Sequence, residues 1–297
     1  VVLLDKGVPH NSKRKTSFAR LQYDGLTLKK GTRVNRSDDK NQLPNAVDAI
    51  LNKQSTPGFS GTASISGDME WASGAYIPSG LPSEDELKEA IDELLRRYVS
   101  FYTRYAAEIS NQRSLVDSGE LIARDYREMV SPKKLKNAKE LESTLNTIGS
   151  FFDILYGQKE LHSREGIPPG DSLIISPTEQ YNGTYGWLTF SQLLKPPFVT
   201  VAQTGSIGEA FVQSEPCGVN DDCLVLLPKS DLPLASLFIA AAIIRIEKWR
   251  FSYGRKLTPS RINEFHMVRI PTLEFWVTER ITQWESIINS VLSVYNE

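Results

Sequence analysis

Polar side chains that can hydrogen-bond to phosphates or to nucleobase edges fall in three short segments of this chain. Arg255 and Lys256 follow an aromatic-glycine pair, and their cationic groups can reach a phosphate or a guanine edge. Gln203 carries an amide that can bond adenine through two hydrogen bonds. The other candidates have short hydroxyl, amide or phenol side chains suited to phosphate or base contacts: Asn182, Thr184, Tyr185, Thr204 and Ser206.

The element that must position several of these groups is a hairpin within residues 196–211. Val199 and Val201 alternate with polar or small residues, a period of two that is typical of a strand. A Thr-Gly-Ser-Ile-Gly segment at residues 204–208 then has turn chemistry, since its glycines allow a positive φ. The sequence therefore predicts a hairpin with polar residues at its tip, and an ordinary tight turn is the alternative interpretation.

Four further segments accompany the hairpin, at residues 170–176, 181–186, 251–258 and 268–271. In this order and spacing, all five resemble the target-recognition domain of restriction-modification systems, as in type I specificity subunits and in methyltransferases with a fused recognition domain. The resemblance runs from residue 148 to residue 272. It implies a domain that reads a DNA sequence without chemistry of its own. The implied partners are double-stranded DNA and a methyltransferase or modification subunit.

A second, shorter resemblance lies near the N-terminus. The segment at residues 23–33 is similar to the sequence segment at the end of the sheet-edge strands in class I N6-adenine methyltransferases. Residues 1–4 have the pattern of a buried strand, so we expect the chain to continue a longer polypeptide. The resemblance implies that a catalytic domain using S-adenosylmethionine lies upstream, and no residue of this chain is assigned to that cofactor.

The chemistry of an adenine methyltransferase itself is missing from the sequence. Such an enzyme needs an Asn or Asp acceptor before Pro-Pro-Tyr/Phe, and the nearest segment here begins with Lys195, which has no acceptor. A glycine-rich cofactor loop, a phosphate-binding Gly-Lys-Ser/Thr and a serine nucleophile elbow are absent too. Asp221 and Asp222 are interpreted as a turn cap rather than a nuclease metal site. We predict a non-catalytic chain without a metal, and leave open whether its parent is an enzyme.

The charge is distributed unevenly along the 297 residues, although the net charge is only −2. Residues 1–60 hold 11 basic and 5 acidic side chains, whereas residues 146–271 hold 11 and 12. This distribution suits DNA that is gripped through its phosphates at one place and read at another. The alternative is that the basic residues at 13–15 and 29–30 are only solvated loops. No apolar run is long enough to cross a membrane, and Cys217 and Cys223 are expected to be unlinked thiols in a reducing cytoplasm.

Hydrophobic periodicity predicts an α+β protein with a β-rich region and packed helices, and the resemblance implies that the β-rich region is the recognition domain. The predicted segments are closing strands of a methyltransferase-like domain and a linker at residues 1–60, a helical connector at 61–145, the recognition domain at 146–271 and a C-terminal helix at 272–297. The predicted elements include a helix at 84–110 capped by Ser83, a buried helix around 237–244 capped by Asp231, a tail helix at 273–295, and strands at 69–77 and 265–270.

Two other functions are compatible with the sequence. In the first, the helices at residues 84–110 and 273–295 form an assembly module that docks a modification subunit, and DNA contact is secondary. In the second, a β-domain binds carbohydrate or peptide in a cleft without a basic rim. The aromatic residues of that cleft would be Tyr181, Tyr185, Trp187 and Phe211.

Overall fold

The computed structural model describes residue 11 and residues 13–38, 40–139 and 146–295. The chain divides into two compact units, Val1–Gly80 and Leu81–Glu297. Helices make up 42% and strands 24% of the structure, and the strand pairs are mostly antiparallel, which confirms the α+β class. No described helix has the length and apolar character needed to cross a membrane. The predicted boundaries at residues 60, 145 and 271 stay predictions.

The first unit is built from short strands and one helix. Its described elements are β1 (Lys15–Ala19), β2 (Leu26–Lys29), β3 (Thr32–Asn35), α1 (Leu43–Leu51) and β4 (Ser60–Ser64). The strand predicted at residues 1–4 lies outside the described residues. β1 pairs with β4 in antiparallel register, from Lys15 opposite Ser64 to Ala19 opposite Ser60.

β4 corrects two predictions from the sequence. Part of it was predicted as linker because its residues are small and polar, but Gly61 packs directly against the carbonyl of Tyr76, where a side chain would not fit. The strand predicted at residues 69–77 is wrong, because that segment holds only a 3-10 turn, Ser73–Ala75. The small residues of β4 thus allow a close backbone approach from the segment that was expected to be the strand.

β2 and β3 form a two-stranded ribbon whose turn is Lys30-Gly31, with φ angles of 49° and 81°. Two positive φ angles in a two-residue loop match the twist of the strands that the loop joins. Most ribbon side chains are exposed on both faces, and Leu28 is 74% exposed. Arg33 pairs with Asp24, whereas neither Lys29 nor Lys30 pairs with a carboxylate in the described part of the chain. We call residues 26–35 the basic ribbon.

The second unit holds the larger core. Its helices are α2 (Glu84–Arg104), α3 (Ala106–Asp117), α4 (Tyr126–Met129), α5 (Pro132–Lys139), α6 (Ile148–Phe151), α7 (Leu234–Glu247), α8 (Pro259–Asn263) and α9 (Pro271–Ser293). Its strands are β5 (Ala123–Arg124), β6 (Phe152–Tyr156), β7 (Pro169–Ile175), β8 (Thr184–Leu188), β9 (Leu193–Leu194), β10 (Phe198–Ala202), β11 (Ala210–Gln213), β12 (Gly218–Val219) and β13 (Cys223–Pro228).

The core is centred on a four-stranded antiparallel sheet in the order β11-β10-β13-β6. α7 packs on β10 and β11 with one side and on α2 and α9 with the other, which explains why its sequence is apolar nearly all round. A second sheet, β12-β7-β8, contributes Leu173 and Ile175 to the same core. Cys217 and Cys223 are buried there as free thiols, as predicted.

The sequence predicts the start of α2 correctly, but it does not predict the interruption of that helix or the start of α7. Ser83 caps α2 as predicted, and it forms a capping box with Glu86, in which Ser83 N donates to Glu86 Oε2 at 2.9 Å. The predicted helix at 84–110 is interrupted at Tyr105, whose ring lies against those of Tyr181 and Trp187. Asp231 does not cap α7, which begins after Pro233.

The strand predicted at residues 265–270 is also wrong. The segment between α8 and α9 forms only an isolated bridge, between Thr147 and His266. An alternating sequence predicts an extended backbone, but a strand also needs a partner along its length, and here that partner is a single residue.

Candidate functional site

The predicted hairpin is present and its tip is tightly constrained. β10 and β11 pair from Phe198 opposite Gln213 to Val201 opposite Ala210, and residues 203–208 form the connection, which we call the hairpin tip. Gly205 has φ +56°, and a Cβ added there would lie 2.6 Å from the carbonyl oxygen of Pro177. Ser206 N donates to the same oxygen at 3.2 Å. A glycine is therefore required where the tip meets the neighbouring loop.

The side chain of Gln203 is held in place by its neighbours. Its Nε2 donates to the carbonyl oxygen of Asp221 at 3.0 Å, and its backbone N donates to that of Asp222 at 3.0 Å. One amide hydrogen is thereby used, whereas the amide oxygen accepts no hydrogen bond from the described residues. The oxygen and the second hydrogen remain available, which is the pair of groups that adenine recognition requires. The hydroxyls of Thr204 and Ser206 likewise bond no described residue.

A buried network of charges holds the base of the hairpin. Glu209, only 4% exposed, pairs with Arg245 of α7 and with Lys248, whose Nζ lies 2.6 Å from Glu209 Oε1. Arg245 also lies 3.1 Å from Glu93 Oε1 of α2, and Glu93 pairs with Arg97 at 2.8 Å. Burial lowers the pKa of Arg245, and the carboxylates of Glu209 and Glu93 oppose that shift.

The same network reaches the loop before β8. Nη1 of Arg97 donates to the carbonyl oxygen of Glu179 at 2.6 Å. The charges therefore connect the hairpin, two helices and the loop against which the tip packs. Because a buried charge is costly unless it is paired, this arrangement favours one position of the tip.

Asn182 and Thr184, two of the predicted contact residues, lie inside the second unit. Asn182 is 2% exposed, has φ 59°, and donates from Nδ2 to the carbonyl oxygen of Val212 at 2.9 Å on the edge strand β11. Asn tolerates this left-handed conformation well, and the Asn-Gly dipeptide signals such a turn. Thr184 is buried at the start of β8, and its hydroxyl bonds no described residue. In this conformation Asn182 closes a turn along the sheet edge.

Tyr185, the next predicted residue, lies at the surface in a β-bulge. Ile174 pairs with Gly186 and Ile175 with Thr184, so Tyr185 is the extra residue of β8. A bulge redirects a side chain, and here the ring lies beneath the guanidinium of Arg164, whose carbon is 4.9 Å from the ring centroid. The sequence analysis did not select Arg164, which lies 21 positions away with no local signal linking the two.

His162 joins this group through Asp221. Its Nδ1 lies 3.0 Å from Asp221 Oδ1, and this hydrogen bond, followed by the Coulombic attraction of the carboxylate, raises the pKa of His162. The charge of Arg164 opposes the shift. We call His162, Arg164, Tyr185, Gln203 and Asp221 the tip cluster, because contacts and charges link them at the hairpin tip.

Asp222 brings a second carboxylate close to the tip cluster. Ligand atoms of His162, Asp221 and Asp222 lie within 4.8 Å of one another, a spacing that could hold a cation. The positive charge of Arg164 nearby opposes a metal ion there. Asp222 N also donates to Asn220 Oδ1 at 2.9 Å, which matches the predicted role of this segment as a turn.

Arg255 and Lys256 lie on a separate turn. Backbone hydrogen bonds in both directions join Ser252 and Arg255 across it, and Tyr253 at its tip is 92% exposed. Arg255 is half-buried beside the ring of Phe251, and Lys256 is exposed. The turn begins four residues after Lys248, which pairs with Glu209 at the base of the hairpin. Four residues span at most about 14 Å, so Ser252 lies within that distance of Lys248.

The four aromatic residues of the predicted cleft do not gather in one place. Phe211 is buried in the core, beside Arg245. Tyr181 and Trp187 both contact Tyr105, and Arg104 lies 5.3 Å from the ring centroid of Tyr181. Tyr185 contacts Arg164 instead. Arginines thus accompany the exposed aromatic rings, contrary to the cleft without a basic rim.

Comparisons with known proteins give structural likenesses alone. No protein-family model and no curated protein sequence matches the chain. Among solved structures, it is similar to a type I restriction-modification S subunit from M. genitalium, with 14% identity, a TM-score of 0.39, and coverage of 72% of this chain and 55% of that one.

Two more solved chains are similar. The HsdS subunit from Thermoanaerobacter tengcongensis has 14% identity and a TM-score of 0.33, over 73% of this chain and 54% of its own. A chain from a study of complex assembly and conformational transition in the type I R-M system has 13% identity and a TM-score of 0.33, over 74% and 60%. The chain thus spans little more than half the length of these proteins.

Proposed function

We propose that this chain recognises a specific sequence of double-stranded DNA, with the hairpin tip and the tip cluster reading base edges. The observation that carries the proposal is the side chain of Gln203, whose amide is oriented by Asp221 while its oxygen and one hydrogen remain available. Thr204, Ser206 and Tyr185 add further groups at the same end of the second unit. A good bidentate contact of this kind discriminates against the wrong base by about 1–3 kcal/mol.

The basic ribbon suits a different task in the same function. Its lysines carry no partner among the described residues, and a phosphate contact needs a cation but no sequence-dependent geometry. We propose that the ribbon holds the DNA backbone while the tip reads its sequence. Arg255 and Lys256 stay predicted contacts, to a phosphate or to guanine.

The test is a selection from a pool of random duplex DNA at low and moderate salt, with sequencing of the retained molecules. The proposal predicts an enriched motif whose retention weakens as salt rises. Retention without a motif would limit the function to a grip on phosphates. Absence of retention at either salt would contradict the proposal.

The biological setting that we propose is a restriction-modification system, in which this chain would choose the site for an N6-adenine methyltransferase or its modification subunit. If that catalytic domain belongs to the same polypeptide, S-adenosylmethionine would be bound there. The residues here do not fit catalysis on a flipped adenine: Lys195 is exposed without an acceptor, and Phe198 is buried in β10.

An assembly module is the second candidate, because α9 exposes several large apolar side chains and very few basic ones. Phe275 is 68% exposed, Ile287 and Val294 are also exposed, and Arg280 is the only Lys or Arg between residues 271 and 295. Such a face suits a protein partner better than a phosphate backbone. A chain that retains no DNA alone, but does so with a modification subunit, would favour this candidate.

A further inference from the structure

Arg164 has an unusual environment for an arginine. Its side chain is only 15% exposed, and its Nε is buried with no hydrogen-bond partner. The guanidinium donates no hydrogen bond to any residue that the structure describes. Its nearest carboxylate, the exposed Glu165, is 3.9 Å away, too far for a hydrogen bond.

The buried Nε–H of Arg164 has lost water without gaining an acceptor among the described residues, and such an unpaired donor destabilises a folded protein. Another arginine of the second unit shows how a partly buried guanidinium is usually stabilised, by donating hydrogen bonds to acceptors of the protein. Arg127 donates from Nε to Asp153 Oδ2 at 2.9 Å and from Nη2 to the carbonyl oxygen of Pro228 at 2.7 Å. Arg164 makes no such set with the residues that the structure describes, so hydrogen bonds among those residues do not explain its position.

The groups around Arg164 position it but accept no hydrogen bond from it, and the exposed Glu165 lies only at the limit of ion-pair distance, 3.9 Å. The ring of Tyr185, in its bulge, lies under the guanidinium. The carboxylate of Asp221 is engaged by His162 at 3.0 Å. Arg164 is therefore a cation held beside Tyr185 whose guanidinium donates no hydrogen bond to the described residues.

We infer that Arg164 is a DNA-contact residue of the tip cluster and that its missing partner is a pair of acceptors on the DNA. This inference rests on the proposed function. Two groups of DNA present such a pair to a guanidinium: the oxygens of a phosphate, and O6 with N7 of guanine. Tyr185 is the positioning residue, since its ring lies against the guanidinium, with the guanidinium carbon 4.9 Å from the ring centroid.

The test compares three variants of the full chain in the duplex selection, in affinity measurements on the enriched duplex over a salt series, and in thermal unfolding. Arg164→Met removes the charge and donors but keeps the packing, and Arg164→Lys keeps the charge but loses the planar fork. Arg280→Met is the matched control, because its guanidinium also lies over an aromatic ring, 5.2 Å from the centroid of Trp276, with Asp92 at 3.9 Å.

For Arg164→Met we expect at least a tenfold loss of affinity for the enriched duplex, with an unfolding midpoint equal to or above that of the wild type. Arg280→Met should keep both motif and affinity. A guanine partner would relax the motif at one position in Arg164→Met and in Arg164→Lys alike. A phosphate partner would weaken all sequences equally, make the salt slope shallower by about 0.9, and be largely restored by lysine.

Two results would overturn the inference while the proposed function stands. The first is Arg164→Met selecting the wild-type motif with unchanged affinity and salt slope. The second is a lower unfolding midpoint for both Arg164 variants, with a loss of affinity no larger than the unfolded fraction explains, which would make Arg164 a structural residue. A wild-type chain that enriches no motif would remove the proposed function, and the inference with it.

Discussion

The hairpin tip and the basic ribbon present polar groups to solvent in opposite ways. At the tip, Gln203 is oriented by the carbonyl of Asp221, and the hairpin is held by the buried carboxylate of Glu209. In the ribbon, Lys29 and Lys30 stand on flexible stems on a two-stranded element with both faces exposed. Reading a base needs groups fixed to within a fraction of an ångström, whereas attracting a phosphate needs charge alone. The comparison predicts that the hairpin tip supplies sequence specificity and that the basic ribbon supplies salt-dependent affinity.

The largest effect is expected on the free energy of unfolding, when the buried charge network at the base of the hairpin is broken. Glu209→Ala leaves Arg245 buried without its main carboxylate, so the free energy of unfolding of the second unit should fall by about 3–5 kcal/mol. Chemical denaturation followed by tryptophan fluorescence measures this. Asp38→Ala, which removes the partner of Arg36 in an exposed pair of the first unit, is the control and should leave the unfolding curve unchanged. Equal effects in both variants would contradict the claim that the buried carboxylate of Glu209 holds the hairpin in place.

The next effect concerns the sequence that is read. Gln203→Ala should relax the enriched motif at one or two positions, with a loss of discrimination of about 1–3 kcal/mol, because the bidentate amide is gone. Gln203→Glu keeps the shape but replaces the donor with a charge, and should reject the same base pair. Competition between the enriched duplex and single-substituted duplexes measures both. A uniform loss over all duplexes would instead assign Gln203 to a phosphate.

A smaller effect on affinity is expected from the ribbon, with no effect on the motif. In Lys29→Gln/Lys30→Gln, the slope of log affinity against log salt should become shallower by about 1.8, if each lysine neutralises one phosphate. Lys133→Gln/Lys134→Gln on α5 removes the same charge from another exposed lysine pair and should leave the slope unchanged. If both double variants changed the slope equally, the ribbon would have no special part in binding.

The smallest effect is a dependence on pH through His162. Because Asp221 raises the pKa of His162 in the folded chain, the contribution of the pair is complete below the ordinary histidine pKa of 6.5 and is lost as pH rises through the raised pKa. Affinity for the enriched duplex should therefore fall over that window as the positive charge of the tip cluster decreases. His162→Gln should flatten this response, and His266→Gln, at another exposed histidine, should keep it.

Local patterns predicted much of the frame on which these residues stand. The capping box of Ser83 and Glu86, the hairpin around residues 203–208 and the buried α7 each follow from neighbours within one or two turns of chain. These features depend on short-range hydrogen bonds and on periodic burial, so they can be predicted from residues that are close together in the sequence.

The rest of the candidate site depends on contacts between distant residues. Arg245 meets Glu93 across 152 positions, and His162 meets Asp221 across 59. Asn182 is buried because it bonds to the edge strand β11, a contact that the sequence around Asn182 does not predict. Spacing along the chain therefore identified polar residues near the site, but it could not separate those that close turns from those with free hydrogen-bonding groups, and it gave no signal for Arg164, whose guanidinium donates no hydrogen bond to the described residues.

The most direct test of this contrast is amide hydrogen exchange of the full chain bound to the enriched duplex and to a shuffled duplex of equal length. We predict that residues 203–208 and the segment around Arg164 are protected by the enriched duplex only, whereas residues 26–35 are protected by both. Equal protection of the hairpin tip by the two duplexes, or protection confined to α9, would contradict the claim that the tip reads DNA sequence.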